Sequence, residues 1–568
     1  VRALATAARG LLGPVLAFSA LVNLLMLTGP LFMLQVYERV LPSRSAASLY
    51  ALFGLVGFLY AAMVVLDHAR ARLVARLGAR LARQLEGPVF EAAQRLQQRR
   101  PGDPLARAAP GDLDTLQRWL ASPVFLALFD APWVPAYMAL IFLFHPLLGW
   151  LAVAGAAALL GLAVLNQVVV RGRLAAAADH ARAAERLGEA LGAEAGTLAA
   201  LGMERAAFAR WAALRGQALV ATIDGSDRAA FFAAASRGLR LFLQSAMLAA
   251  GAWLVLAGQL GPGAMIAASI ILGRALAPVE QAVGQWGSVQ AARLGWHRLG
   301  LLLAGWREAP ARLALPRPAG MLSAQDLVVM PPGERRASLR EVSLQVAPGQ
   351  CLGVIGPSGA GKSTLARALV GAWPLAAGAV RLDGLALEAW DPEVLGAAIG
   401  YLPQRVVLFD GTVADNIARL QPGADPQAVI EAARAAGAHE MILSLPRGYD
   451  TPVTGGGSVL SGGQVQRIGL ARALYGAPAV VVLDEPDAHL DGAGMAALGA
   501  ALRALKARGA AVVVVAHRAA ALAACDEVLA LDGGRVVAQG PRERVLREAR
   551  LPGGLPVPVP AGQGAGAE

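Results

Sequence analysis

The sequence predicts a polytopic α-helical membrane domain of six spans followed by an α/β nucleotide-binding domain. Three observations predict it. Long uncharged apolar runs are confined to the first half, arginine clusters between them, and a phosphate-binding loop sits between a strand and a helix in the second half. At 568 residues the chain exceeds one ordinary domain. Its balance of 56% hydrophobic to 16% charged residues is that of a membrane protein. The net charge of +11 lies between apolar spans, which speaks for basic loops on an integral protein and against nucleic-acid binding. Cys351 and Cys525 belong to no metal-type cluster and imply no disulfide framework. Lysine occurs only as Lys362 and Lys506, so arginine carries nearly all the positive charge.

Residues 11–36 contain no charge. At about 1.5 Å per residue such a run crosses a ~30 Å hydrocarbon core with room to tilt. It is too long for a signal peptide, whose apolar region is roughly 7–15 residues, so it reads as an uncleaved first span. Residues 46–66 form a second uncharged run. Residues 131–170 are long enough for two spans, with His145-Pro146 as the turn between them. Residues 241–273 make two more, broken by the loop signal Gly258 to Gly263.

Arginine sets the orientation. Segments 67–123 and 171–240 hold ten arginines each, whereas the opposite side holds only Arg39 and Arg44. Positive charge stays inside, so both long segments and both termini are expected in the cytoplasm. The long segments read as helical extensions of the spans, with tips near residues 97–112 and 186–198. The expected organisation is a transmembrane domain over 1–305, a linker over 306–320, a second domain over 321–550 and a Pro/Gly-rich tail over 551–568.

After the proline-rich stretch Pro310–Pro318 the pattern changes to short β-branched runs alternating with Ala-rich helical stretches. The strand Cys351–Ile355 runs directly into GPSGAGKST, residues 356–364. This fits G-x-x-x-x-G-K-[ST] in its required setting between a strand and a helix. Gly356, Ser358, Gly359 and Gly361 let backbone N–H groups point at phosphate oxygens, and the helix that follows adds its positive end. Lys362 is placed to reach the β- and γ-phosphates, and Ser363 with Thr364 completes the motif, Ser363 as a ligand of Mg²⁺. A second buried strand, Ala479–Asp484, ends in a carboxylate suited to the same ion. Glu485 follows, where it could polarise the attacking water. A third strand, Val512–Val515, leads to His517, at the edge where a γ-phosphate sensor would sit.

Leu460-Ser461-Gly462-Gly463-Gln464, upstream of Asp484, is not needed by a general P-loop enzyme. It resembles the signature motif of ABC proteins, so the domain pair resembles an ABC exporter fold. The resemblance implies that Gln404, in Tyr401-Leu402-Pro403-Gln404, is the Q-loop glutamine that senses Mg²⁺. It also implies that Asp491 is the D-loop aspartate and His517 the switch histidine. Ser461, Gly462, Gly463 and Gln464 would then complete the ATP site of a second subunit. One P-loop and one signature per chain call for a homodimer.

The membrane half adds LMLTGPLFMLQVYERVLPSRS (25–45), FDAPWVP (129–135), FHPLLGW (144–150) and ASIILGRALAPVEQAV (268–283). The nucleotide half adds RLDG (381–384), HEMILSLPRGYDT (439–451) and LARALYG (470–476). Together these resemble the permease/ATPase components of bacterial type I secretion systems, in the branch that exports proteases, lipases and haemophores. The resemblance implies ATP-driven export of unfolded polypeptides across the inner membrane, with the ATPase domain cytoplasmic. It also implies a membrane fusion (periplasmic adaptor) protein and an outer-membrane channel as partners. Export of a lipid or small molecule is the alternative within the same fold. Some relatives carry an N-terminal peptidase-like domain; none is expected here, because no cysteine precedes Cys351.

Four positions depart from the family pattern. No aromatic residue lies between Trp306 and Trp373, where an adenine-stacking ring is usual, and Met330, Arg335 or Arg336 would have to substitute. Val465 stands where a basic residue is common, Thr454 to Gly457 lacks an acid, and Asp487-Ala488-His489 replaces small polar residues.

In the sixth span, Arg274 lies about eleven residues from Gly263, roughly 16 Å into the membrane. There an unpaired charge costs at least ~2.5 kcal/mol. Arg274, Pro278, Gln281, Gln285 and Ser288 share one helical face, with Leu272, Leu276, Val279 and Val283 on other sides. The stripe is expected to line a hydrated passage for the cargo, unless Arg274 is held by Asp130 or Glu280.

Overall fold

The computed structural model describes residues 10, 12–306, 315–454, 460–488, 492–516 and 518–548. Asp491, His517, most of the linker and the tail 551–568 lie outside them. The chain falls into two compact units, residues 1–94 with 103–307 and residues 95–102 with 308–568.

The first unit is helical and contains six helices long and apolar enough to cross a membrane: Leu12–Ser43, Ala46–Arg99, Pro123–Phe144, Pro146–Ala193, Glu204–Leu256 and Pro262–Gly284. The breaks fall where local chemistry places them. His145 leaves the helix with φ −164° and its Nδ1 accepts from the Leu147 amide at 3.1 Å, while Pro146 takes the first helical position and needs no donor. The glycine-rich break ends with Gly261 extended and Pro262 starting the sixth span. The second span continues to Arg99 and turns into a helix beginning at Pro104, capped by Asp103. The fourth continues to Ala193, and a short helix Ala195–Ala200 precedes the fifth at Glu204, so this turn reaches slightly beyond 198.

The third, fourth, fifth and sixth spans share one apolar core, in which Ile141, Leu148, Leu159, Met247, Leu254 and Leu272 are fully buried. Side chains of the fifth span come so close to the sixth that a Cβ at Gly273 would lie 2.1 Å from Nε2 of Gln244, so a larger residue there would have to push that glutamine side chain aside. Several of the buried charged and polar groups in this unit are paired. Arg70, 4% exposed, donates to Asp130 at 2.6 Å, to Asp67 at 2.8 Å and to Ser19 at 3.4 Å. Asn23 donates to the same Asp130 oxygen at 2.7 Å, and the Tyr137 hydroxyl donates to Asn23. Glu280 pairs with Arg240 at 2.5 Å.

The second unit is α/β. Its strands are β1 (Leu322–Val329), β2 (Leu339–Val346), β3 (Cys351–Ile355), β4 (Ala377–Leu382), β5 (Leu385–Ala386), β6 (Ile399–Leu402), β7 (Gly411–Thr412), β8 (Pro452–Val453), β9 (Val480–Asp484), β10 (Ala511–Val515), β11 (Glu527–Asp532) and β12 (Arg535–Pro541). The main sheet has the order β12-β11-β3-β10-β9-β6, parallel except for the antiparallel edge strand β12. Alternate residues of β9 and β10 enter two different cores. Val481, Leu483, Val512 and Val514 pack on one face, and Val480, Val482, Val513 and Val515 on the other. A parallel sheet covered on both faces needs such uninterrupted apolar strands. A smaller antiparallel sheet, β2-β1-β4-β5, packs beside it. Residues 315–320 are already fastened to this unit. Arg317 donates to the carbonyls of Gly476 and Ala477 at 2.6 and 2.9 Å, and the Asp383 carboxylate accepts from the amides of Ala319 and Met321 at 2.6 and 2.8 Å. Cys351 and Cys525 are free, buried thiols with their sulfurs 3.2 Å apart.

Candidate functional site

Parallel β3, β9 and β6 all end at the same edge of the sheet, the edge at which open α/β sheets bind ligands. β3 delivers residues 356–361, and the helix Lys362–Leu369 starts directly behind them. The loop turns through left-handed backbone at Gly359 (φ 82°) and Gly361 (φ 98°). A Cβ at Gly361 would sit 2.7 Å from the Ser338 carbonyl oxygen, so both the conformation and the space demand glycine there. Ser358 is exposed on the loop, and Thr364 is buried beneath it.

Lys362 is buried, and its ammonium donates to the carbonyls of Gly356 and Pro357 at 2.9 Å each. Burial pulls its pKa below the usual lysine value, while the nearby charges of Glu485 and Asp484 pull it back up. Ser363 donates from Oγ to Oδ1 of Asp484 at 3.0 Å. Asp484 is fully buried, and its Oδ2 has no hydrogen-bond partner. Burial raises its pKa above the usual carboxylate value, and the Ser363 hydrogen bond works against that rise. A buried carboxylate oxygen left without a donor, next to a serine hydroxyl, fits a hard divalent cation. Gln404 lies two residues past Leu402, which pairs with Leu483, so it leaves β6 at the sheet edge where β9 ends in Asp484.

Glu485 has left-handed backbone, φ 52°, which costs a non-glycine residue roughly 1–2 kcal/mol. Its amide donates to the Val515 carbonyl at 2.9 Å, and its own carbonyl accepts from Nε2 of Gln466 at 3.4 Å. Sequence reading missed Gln466, a buried residue inside the signature helix. Its signal was its place two residues after Gln464, but no motif demands a glutamine there. Ser461 caps the helix Gly462–Leu474: its Oγ accepts from the Gln464 amide at 3.3 Å, and Oε1 of Gln464 accepts from the Ser461 amide at 2.8 Å. Ser461 and Gly462 are exposed at this positive helix end, with Gly463 and Gln464 partly buried behind them. Asp491 and His517 lie outside the described residues; β10 ends one residue before Ala516, which His517 follows.

In the sixth span the polar stripe is the uncovered face. Arg274, Gln281, Gln285 and Ser288 are exposed, Pro278 and Val279 are partly buried, and Leu272, Leu276 and Val283 are at most 1% exposed. Neither acid proposed as a partner holds Arg274: Asp130 is engaged by Arg70 and Asn23, and Glu280 by Arg240.

The chain matches the ABC transporter transmembrane region over residues 12–276 and the ABC transporter family over residues 339–488. It is 44% identical to the type I secretion system ATP-binding protein PrsD of Rhizobium meliloti, over 94% of this chain and 92% of that one. The chain belongs to the type I secretion ABC transporters. It is 31% identical to the cyclolysin secretion/processing ATP-binding protein CyaB of Bordetella pertussis, over 96% of this chain and 77% of that one. The solved structure of a bacterial Atm1-family ABC exporter with ATP bound shares the fold, at 23% identity, a TM-score of 0.81 and coverage of 95% and 96% of the two chains. This transporter is therefore a multi-pass membrane ATPase whose second unit binds ATP.

The segment expected to face the adenine carries no aromatic ring. The segment Met330–Arg336, ahead of Ser338 and the P-loop, exposes Met330, Arg335 and Arg336 and offers no ring. Base–aromatic stacking is worth about 1–3 kcal/mol. Stacking takes any base, so without that platform both nucleotides lose the same contribution, and with no ring to hold the base in register GTP should compete with ATP within about tenfold. Displacement of a labelled nucleotide checks this; a strong preference for ATP would count against it.

Proposed function

We propose that two copies of this chain form an exporter in the bacterial inner membrane that moves unfolded polypeptides out of the cytoplasm. The ATPase units face the cytoplasm, and the conduit is continued by a membrane fusion protein and an outer-membrane channel. The observation that carries this reading is the likeness to type I secretion proteins along nearly the whole chain. The exposed signature end supports the dimer: one P-loop and one signature per chain form two complete sites only when each signature meets the other chain's P-loop.

In each site the P-loop amides and Lys362 hold the phosphates, and Ser363, Asp484 and Gln404 would hold Mg²⁺. The ion neutralises charge on the β- and γ-phosphates when bound. Glu485 accepts the proton of the attacking water. Ser461 and the signature helix end approach the γ-phosphate from the second chain, with Asp491 and His517 in the D-loop and switch positions. Deleting the gene and comparing culture media tests the reading. A secreted protein should vanish from the medium and accumulate in the cells; an unchanged set of secreted proteins with altered lipid or small-molecule export would sink it.

The stripe Arg274, Gln281 and Gln285 lines the cargo passage in this proposal. Its exposure, against the burial of Leu272, Leu276 and Val283, is what supports it. Single cysteines at 274, 281 and 285 should react with a polar thiol reagent about tenfold or more faster than those at 276 and 283, which sit in apolar packing. Equal rates on both faces would remove the passage.

A further inference from the structure

The helices Pro104–Leu120, Pro146–Ala193 and Trp286–Ala304 enclose a cavity of about 610 Å³. Its charged and polar lining is Asp112, Arg182, Gln290, Arg293, His297 and Arg298; apart from one threonine, the remaining wall is alanine, glycine and leucine. Asp112 is spent: Arg298 donates to both of its oxygens, from Nε at 2.7 Å. Arg182 pairs with Asp179. Arg293 is exposed and makes no ion pair or hydrogen bond among the described residues. Nε2 of Gln290 is buried without an acceptor. The cavity thus leaves one cation, Arg293, and one amide donor, Nε2 of Gln290, without an acceptor among the described residues, set in a largely apolar wall. Such a set suits carboxylates carried on a chain with apolar neighbours.

The cavity also continues the polar stripe. Gln285 joins the sixth span to the helix Trp286–Ala304, and the lining begins at Gly287. From Arg274 to Gln290 is roughly 24 Å of helix, which about seven residues of extended chain would cover.

We propose that this cavity is a docking site for an acidic, apolar-flanked segment of the exported polypeptide, which is held at Arg293 and Gln290 before it reaches Arg274. The proposal rests on the polypeptide-export reading and adds the chemistry of the cargo segment recognised.

The test uses the full chain in phosphatidylcholine nanodiscs without nucleotide. The probe is a dye-labelled dodecapeptide alternating Asp or Glu with Leu or Val, compared by anisotropy with its Asn/Gln counterpart. The acidic peptide should bind about tenfold or more tighter, and the difference should shrink as salt rises. Arg293→Glu should remove the difference, Arg293→Lys should keep most of it, and Gln290→Leu should reduce it. The lysine variant guards against misfolding, since a folding defect would not follow charge. Equal binding of the two peptides, or an unchanged preference in Arg293→Glu, overturns the proposal. So does phosphatidylglycerol displacing the peptide in an Arg293-dependent way, which assigns the cavity to a lipid headgroup. If deletion abolishes secretion of a protein while the peptides bind alike, the docking site falls and the export reading stands. If secretion is untouched by deletion, the export reading falls whatever the peptides do.

Discussion

Glu485→Gln is expected to lower steady-state ATP hydrolysis by about 10²–10⁴-fold, the contribution of a positioned general base, while ATP still binds. The carboxylate sits one residue past the end of β9, in left-handed backbone held by the Val515 carbonyl and by Gln466. Glutamine keeps the side-chain length and a hydrogen-bonding end, so it removes only the ability to take a proton. Lys362→Ala should behave differently. In the proposed site its ammonium would serve bound and transition-state phosphates alike, so nucleotide affinity should fall together with turnover. Phosphate release and equilibrium binding of a fluorescent ATP analogue, measured on both variants, separate the two patterns. A Glu485→Gln protein with near-normal turnover would falsify the assignment of the base.

The second large effect is on stability. Asp130→Ala leaves the buried Arg70 guanidinium facing only Ser19 and the half-exposed Asp67. It also removes one of the two acceptors of Asn23, leaving the Ser19 carbonyl. Removing one partner of a buried ion pair costs about 3–5 kcal/mol, because the remaining charge stays out of water. The variant should therefore show a clearly lowered unfolding midpoint in detergent or denaturant. Replacing both partners, as Asp130→Ala with Arg70→Met, should recover much of the loss, since the stranded charge is then gone. A single variant as stable as the parent would mean that Asp67 alone satisfies Arg70.

The elements and the motifs they carry were legible in the sequence. Six spans were legible because an uncharged run of sufficient length has no other stable place, and the breaks at His145-Pro146 and Gly261-Pro262 follow from local backbone preference. The P-loop, Asp484 and Glu485 were legible because each is a short motif at a strand end, readable without knowing its neighbours. Only the tertiary structure decided who meets whom. The strand order puts β9 beside β6 and separates it from β3 by β10, which is how Ser363 comes to bond Asp484 across 121 residues of chain. The acids considered for Arg274 went elsewhere, Asp130 to Arg70 and Glu280 to Arg240, and Gln466 emerged as the contact that joins the signature helix to Glu485. The two cysteines, 174 residues apart in sequence, lie side by side. The physical reason is common to all of these. A sequence states that a buried charge or an apolar face needs a partner, but several partners satisfy that need equally well, and the choice falls to how whole helices and strands pack.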